Sequence, residues 1–201
     1  MKLVLGSQSP RRADVIRRIA PAGMAVEIIP ADIDEKDPKY HRPASPTLTA
    51  LSRLTLQLAL DKNTAVAGKV RGSAVIVTAD CVALCNGELR EKPEDEAELR
   101  RFLASYQQQP VTAVASIWVH NTRTGWSGSA IDNATVLFHP FHDRVDAIAA
   151  DRLFYDSAGG FLIEHPLMAD RISHIAGDPE TVHGMSGTLA GKLIADAMRR
   201  Q

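Results

Sequence analysis

The stretch Lys2-Leu3-Val4-Leu5-Gly6-Ser7-Gln8-Ser9-Pro10-Arg11-Arg12 decides how the rest of the chain is read. Lys2 to Leu5 is a short apolar run suited to a buried strand. Ser9-Pro10 then opens a helix, because serine is a strong N-cap and proline fits the first helical position. Ala13, Val15, Ile16 and Ile19 follow at helical spacing, and Pro21-Ala22-Gly23 ends the run. This order sets the hydroxyls of Ser7 and Ser9 and the guanidinium forks of Arg11 and Arg12 beside the free N–H groups of a helix start. Such a place suits a polyphosphate anion. The same residues also make an ordinary capped surface helix with two solvated arginines, and the local pattern leaves both readings open. It is not a Walker loop, since no Gly-Lys-Ser/Thr follows.

Outward from this stretch, strands alternate with helices. Residues 25–29 read as a second strand, and residues 32–46, with Pro38, Pro43 and Pro46, as a loop. A long helix is predicted over 47–60. Residues 74–79 are apolar and β-branched, as in a buried central strand, which is expected to end at Asp80. Asn86-Gly87 signals a hairpin between 82–84 and 88–89. An amphipathic helix is predicted over 94–106, two strands over 111–119 and 129–137, and a helix over 143–153. A glycine-spaced segment runs from Gly159 to Gly177. A last helix over 187–199 carries Leu189, Leu193, Ile194 and Met198 on its apolar side. The order predicts an α/β fold with at least one antiparallel pair.

The 201 residues suit a single domain of one or two lobes. A net charge of −1 argues against duplex DNA or an anionic membrane surface as a bulk electrostatic partner. It leaves room for a small phosphorylated ligand, which needs only a local positive cluster. The opening apolar run is too short for a secretory signal, and no run approaches the ~20 apolar residues of a membrane span. Cys81 and Cys85 lie roughly 13 Å apart along a strand, beyond disulfide reach. Reduced thiols and a cytoplasmic location are the expectation.

Four further constellations carry chemistry. Asp32-Ile33-Asp34-Glu35 puts three carboxylates into four residues, as a Mg²⁺ site or as a solvated acidic turn. Asp80 at the edge of a buried strand stands where α/β folds keep their ligand crevices, or else leads into the hairpin as a turn residue. Lys92 of Glu91-Lys92-Pro93 is brought back towards Asp80 by the hairpin, as a phosphate partner or a surface lysine. His139, His142, His165, His174 and His183 match no common zinc spacing and read as structural.

The order of these pieces resembles the Maf family of nucleoside triphosphate pyrophosphatases. Ser7 to Arg12 matches the family's Ser-x-Ser-Pro-Arg-Arg, and Asp32 to Glu35 its Asp-x-Asp-Glu. Val75 to Asp80 matches its apolar strand ending in aspartate, and Lys92-Pro93 its Lys-Pro after a short hairpin. Ala158-Gly159 and Ile163 match part of its late Ala-Gly segment. The resemblance spans nearly the whole chain. It implies a single Maf-like domain over residues 1–201, with a curved mixed sheet flanked by helices and two lobes around a cleft. It implies hydrolysis of a nucleoside triphosphate to the monophosphate and pyrophosphate, with a divalent metal, Mg²⁺ or Mn²⁺. Asp80, Glu35 and Lys92 then take catalytic roles, Glu35 and Asp80 as metal contacts. Ser7, Ser9, Arg11, Arg12, Cys81 and Glu164 become substrate-binding groups. The partner is a small nucleotide, with no nucleic acid and no membrane, and a homodimer is expected by likeness to other members.

The chain also departs from the family. The family's helix lysine sits in Leu-Ala-x-x-Lys-Ala. The match placed at 54–59 puts Leu58 in the lysine's place, with Lys62 as the nearest substitute. Cys81 replaces the threonine after the aspartate, and Glu164 replaces a glutamine, which alters base recognition. These departures keep two alternatives in play: a non-catalytic nucleotide-binding module, and a phosphohydrolase for another phosphorylated metabolite.

Overall fold

The computed structural model describes residues 1–199, so the last two residues of the expected domain lie outside it. Seven strands form one sheet: β1 (Lys2–Leu5), β2 (Val26–Ile28), β3 (Ala74–Cys85), β4 (Glu88–Arg90), β5 (Val111–Asn121), β6 (Ser127–Phe138) and β7 (Ile172–Ala176). The order is β2-β1-β3-β5-β6-β7, with β4 beside β3. β1 runs parallel to β2 and β3, and the remaining pairs are antiparallel. The helices are α1 (Pro10–Ile19), α2 (Leu48–Ala67), α3 (Glu96–Tyr106), α4 (Val145–Ala150), α5 (Pro179–Val182) and α6 (Gly187–Arg199). The mixed α/β fold expected from the sequence is present.

α1 begins as read: Ser9 is the N-cap and its hydroxyl accepts from the Arg12 N–H. Asn86 and Gly87 have φ of 51° and 71°, the left-handed pair that a two-residue hairpin requires. Gly6, at the end of β1, has no room for a side chain, because a Cβ there would lie 2.5 Å from the Thr78 methyl. That closeness packs the first loop against β3.

Several expectations are corrected. β3 does not end at Asp80 but runs on to Cys85, because Ala83–Cys85 pair with β4 and the whole strand pairs with β5. α2 continues seven residues past Leu60, as an unbroken stripe of Leu51, Leu54, Leu58, Lys62 and Val66 faces the sheet. The helix expected over 143–153 is broken into α4 between 3₁₀ turns at His142–Arg144 and Arg152–Asp156. The carboxylate of Asp151 caps the second turn by accepting from the Leu153 N–H. β7 lies in the glycine-spaced segment and α5 just after it, where no alternation or long periodicity marks them.

Leu58 does not stand in a lysine's place. It is 1% exposed and packs with Leu51, Leu54, Val82, Val114 and Tyr40 between α2 and the sheet. Leu58→Ala should therefore cost about 2–5 kcal/mol of unfolding free energy in chemical denaturation. A cost under about 1 kcal/mol would contradict this placement, because surface truncations fall in that range.

Candidate active site

The site begins at a parting of the sheet. β1 pairs with residues 74–77 of β3, and β4 pairs with residues 83–85. Between these partners β3 has no strand neighbour on that side, and Asp80 lies in the middle of the gap. Side chains alternate along a strand. Thr78, Asp80 and Val82 therefore point towards α2: the Thr78 hydroxyl donates to the Ala59 carbonyl, and Val82 joins the Leu51–Leu58 cluster.

α2 answers Asp80 with Lys62. The Lys62 ammonium donates to Asp80 Oδ1 at 2.6 Å and lies 3.0 Å from Glu35 Oε1. Lys62 is 6% and Asp80 5% exposed, so this is a buried ion pair. Burial pushes the Asp80 carboxyl above its usual value. Lys62 and Arg12 oppose the rise, and the negative charge of Glu35 adds to it. A carboxylate raised towards neutrality is a better proton acceptor than a free one. The signal for Lys62 was present in the sequence: a lysine on the apolar stripe of an amphipathic helix must meet a buried partner. Read one turn later, Leu58-Ala59-Leu60-Asp61-Lys62 also fits the Leu-Ala-x-x-Lys pattern.

The first loop closes one side. Arg12 Nη1 donates to the Ala79 carbonyl at 2.8 Å, an oxygen freed by the parting of the sheet. Its Nε donates to the Gly184 carbonyl at 3.2 Å. Gly184 has φ of +95°, and a Cβ there would approach the Arg12 guanidinium to 2.9 Å, so glycine is needed for this contact. Ser7 Oγ accepts from the Ser9 N–H at 3.2 Å, within 3.5 Å of Arg12 Nη1. Ser9 spends its hydroxyl on the helix cap. The cleft wall holds Cys81 on the strand face opposite Asp80, and loss of hydration pushes its thiol up to about 12. Cys81 is thus a neutral thiol near neutral pH.

Arg11 reaches across the cleft instead. Its Nη1 lies 3.1 Å from Glu164 Oε1, and His183 Nε2 lies 3.2 Å from Glu164 Oε2. Burial alone would raise the Glu164 pKa, but His183, its own backbone N–H and Arg11 outweigh it and hold it at about 2. Lys92 lines the cleft from the exit of β4.

Together these residues line a cleft of about 940 Å³. Ser7, Ser9, Arg11, Arg12, Glu35, Lys62, Asp80, Cys81, Lys92 and Glu164 all face it. Of the sequence-read candidates, Asp32 and Asp34 are not on its wall. Among the described residues no three histidine, cysteine or acidic side chains gather into a metal cluster. His165 and His183, read from the sequence as structural, line the cleft. No helix among them is long and apolar enough to cross a membrane.

Comparison with known proteins finds similar families, proteins and structures. The family described as Maf-like protein matches residues 2–197. A 7-methyl-GTP pyrophosphatase of Dictyostelium discoideum is 34% identical, covering 96% of this chain and 95% of that protein. A dTTP/UTP pyrophosphatase of Moorella thermoacetica is 30% identical, covering 96% and 94%. A solved HAM1 protein from Coxiella burnetii covers 100% of both chains at 10% identity, with a TM-score of 0.45.

The Glu164 site has a consequence for acid stability. Its folded pKa of about 2 lies below the ordinary 4.5, so its ionisation favours the folded state above about pH 4.5. That contribution is lost as pH falls from there towards 2. Glu164→Gln should lose less stability than the parent between pH 5 and pH 3 in urea titrations. Equal losses in both proteins would refute the pairing.

Proposed function

The chain belongs to the Maf family, and from that premise we propose that it hydrolyses a nucleoside triphosphate to the monophosphate and pyrophosphate. The observation that carries the reading is the buried Lys62–Asp80 pair, set at the gap in β3 and facing a cleft edged by Arg11, Arg12 and Lys92.

Phosphoryl transfer is catalysed mainly by positioning and by stabilising charge. Ser7 and the start of α1 receive phosphate oxygens, and Arg11 and Lys92 neutralise them. Arg12, fixed by two carbonyls, sets the floor of that subsite. Asp80 takes a proton from the attacking water as the water oxygen bonds to the α-phosphorus. The bond from that phosphorus to the bridging oxygen breaks, and pyrophosphate leaves with the electron pair. The Lys62 ammonium holds the Asp80 carboxylate in orientation.

Glu35 and Asp80 converge on one cationic group, the Lys62 ammonium, at 3.0 and 2.6 Å. Two hard carboxylates are a fitting donor set for Mg²⁺ or Mn²⁺, which commonly takes one or two from protein and the rest from phosphates and water. A divalent ion held by Glu35 and Asp80 would screen the triphosphate and polarise the phosphoryl group under attack.

Glu164 bears on the base. An ionised carboxylate accepts hydrogen bonds and donates none. Guanine offers two adjacent donors, its ring N1–H and its 2-amino group. Uracil and thymine flank their single N–H with two carbonyl oxygens, which a carboxylate repels. This favours a guanine-type nucleotide, and the 34%-identical relative is named for 7-methyl-GTP.

The test is a turnover screen of GTP, 7-methyl-GTP, dTTP, UTP and ATP with Mg²⁺ and with Mn²⁺, reading products by ³¹P NMR. The expected result is pyrophosphate, released fastest from a guanine-type substrate. Asp80→Asn should slow release by about 10²–10⁴-fold, the usual worth of a positioned base. Ligand-dependent thermal stabilisation without turnover would instead make the protein a binding module, and orthophosphate as product would make it another phosphohydrolase. Faster turnover of dTTP or UTP would overturn the reading of Glu164.

A further inference from the structure

Glu35 belongs to a stretch, residues 32–46, that forms neither helix nor strand. Within it Asp34 accepts from the Lys36 N–H and Asp37 from the Lys39 N–H, both at 2.9 Å. These turns are local and say nothing about where the Glu35 carboxylate stands relative to Lys62 and Asp80. Lys36 and Lys39 tie the stretch to Glu94 and Asp61 through exposed ammonium groups, and two less exposed side chains tie it as well. Tyr40 is buried under α2, and its hydroxyl donates to Asp61 at 2.7 Å, next to Lys62. The other is Arg42.

Arg42 engages Glu91 with both faces of its fork: Nε to Oε2 at 2.7 Å and Nη2 to Oε1 at 2.8 Å. The same guanidinium donates to the main-chain carbonyl of Glu35 at 2.7 Å and to that of Tyr40 at 3.0 Å. Glu91 immediately precedes Lys92, and its own carbonyl accepts from the Gly159 N–H at 2.8 Å. One guanidinium therefore joins the Glu35 segment, the Lys92 segment and, through Glu91, the start of the segment that leads to Glu164.

We propose that Arg42 is a positioning residue for the reaction, fixing the Glu35 carboxylate against the Lys62–Asp80 pair through its paired bonds to Glu91 and its bond to the Glu35 carbonyl. The inference rests on the hydrolysis proposed above for the roles of Glu35 and Lys92, and on the structure for the clamp itself. Arg42 does not touch the reacting atoms. Its planar fork makes two parallel bonds and still reaches two carbonyls, which a lysine ammonium cannot do. Arg42→Lys therefore keeps the charge and loses the geometry.

The experiment compares the parent with Arg42→Lys, Arg42→Gln, Glu91→Gln and the Arg42→Gln/Glu91→Gln double variant. Arg42→Lys should lower kcat about 10- to 100-fold, as small misplacements of catalytic groups do, while KM for the nucleotide changes less than about threefold. Calorimetric titration of the nucleotide-free protein with Mn²⁺ should show weaker binding in Arg42→Lys, and amides of residues 33–37 should exchange hydrogen faster. The double variant should be no worse than the poorer single one, because both break the same bonds. Parent-like kcat, Mn²⁺ affinity and exchange in Arg42→Lys would overturn the proposal, as would a loss confined to KM or strictly additive losses. If the parent releases no pyrophosphate, the hydrolysis reading falls, and Mn²⁺ affinity and amide exchange still decide for or against the clamp.

Discussion

The buried pair between Lys62 and Asp80 is the constraint around which the rest of the molecule is arranged. Removing two charges from water costs several kcal/mol per ion, and only close pairing recovers it. The pairing here needs a helix and a strand held in one register. α2 supplies it with a stripe from Leu51 to Val66, in which Lys62 takes the place of one apolar residue. β3 supplies it by pairing with β5 over eleven residues, which keeps Asp80 on the α2 face. The apolar cluster around Leu58 lies one helical turn before Lys62 and so sets the lysine's height above the strand.

That arrangement would be sealed if the sheet were continuous. The parting of β1 and β4 along β3 opens it. An interior strand thereby acquires a short free edge, and a free edge must satisfy its polar groups. Arg12 does so at Ala79, and this also brings a guanidinium beside Asp80. Anchoring an arginine and opening a cleft are thus two results of one topological feature. Gly6 and Gly184 are its steric conditions, since side chains at either position would push the first loop or the Arg12 head away.

Much of this was legible in the residues. The N-cap at Ser9, the Asn86-Gly87 hairpin and the final helix are local events, and local chemistry announces them. Asp80 was found but placed wrongly at a strand end. The polar Asp80-Cys81 pair looks like a terminus, and only tertiary pairing with β4 and β5 shows that the strand continues. Lys62 reads only as a substitute for the family lysine while the six-residue pattern is matched one turn early, with Leu58 in the lysine's position. The helical stripe gives the better guide: it runs from Leu51 through Leu58 to Val66, and Lys62 is the charged member that needs a buried partner. Arg42 had no signal of any kind. An arginine in a proline-rich polar stretch reads as solvated until its distant partner, Glu91, is placed beside it.

The two ends of the cleft are held by different physics. At the end proposed to take the phosphates Lys62 and Asp80 are buried, Arg12 is half-buried, and each is tied to a fixed partner, so binding there would demand little rearrangement. At the other end Arg11 and Glu164 face each other in a pair whose side chains are 27% and 42% exposed. An exposed pair of this kind contributes about 0–1 kcal/mol to stability, so it holds its members only loosely. In the proposed reaction a phosphate reaching Arg11 would displace Glu164 at small cost, and the carboxylate so released would stay ionised near neutral pH, as an ordinary glutamate is. Under that proposal the residue then free to meet the base would be an acceptor without a donor. The weakness of the Arg11–Glu164 contact is therefore consistent with both roles, gripping phosphate and reading the base, in a way that a buried pair would not allow.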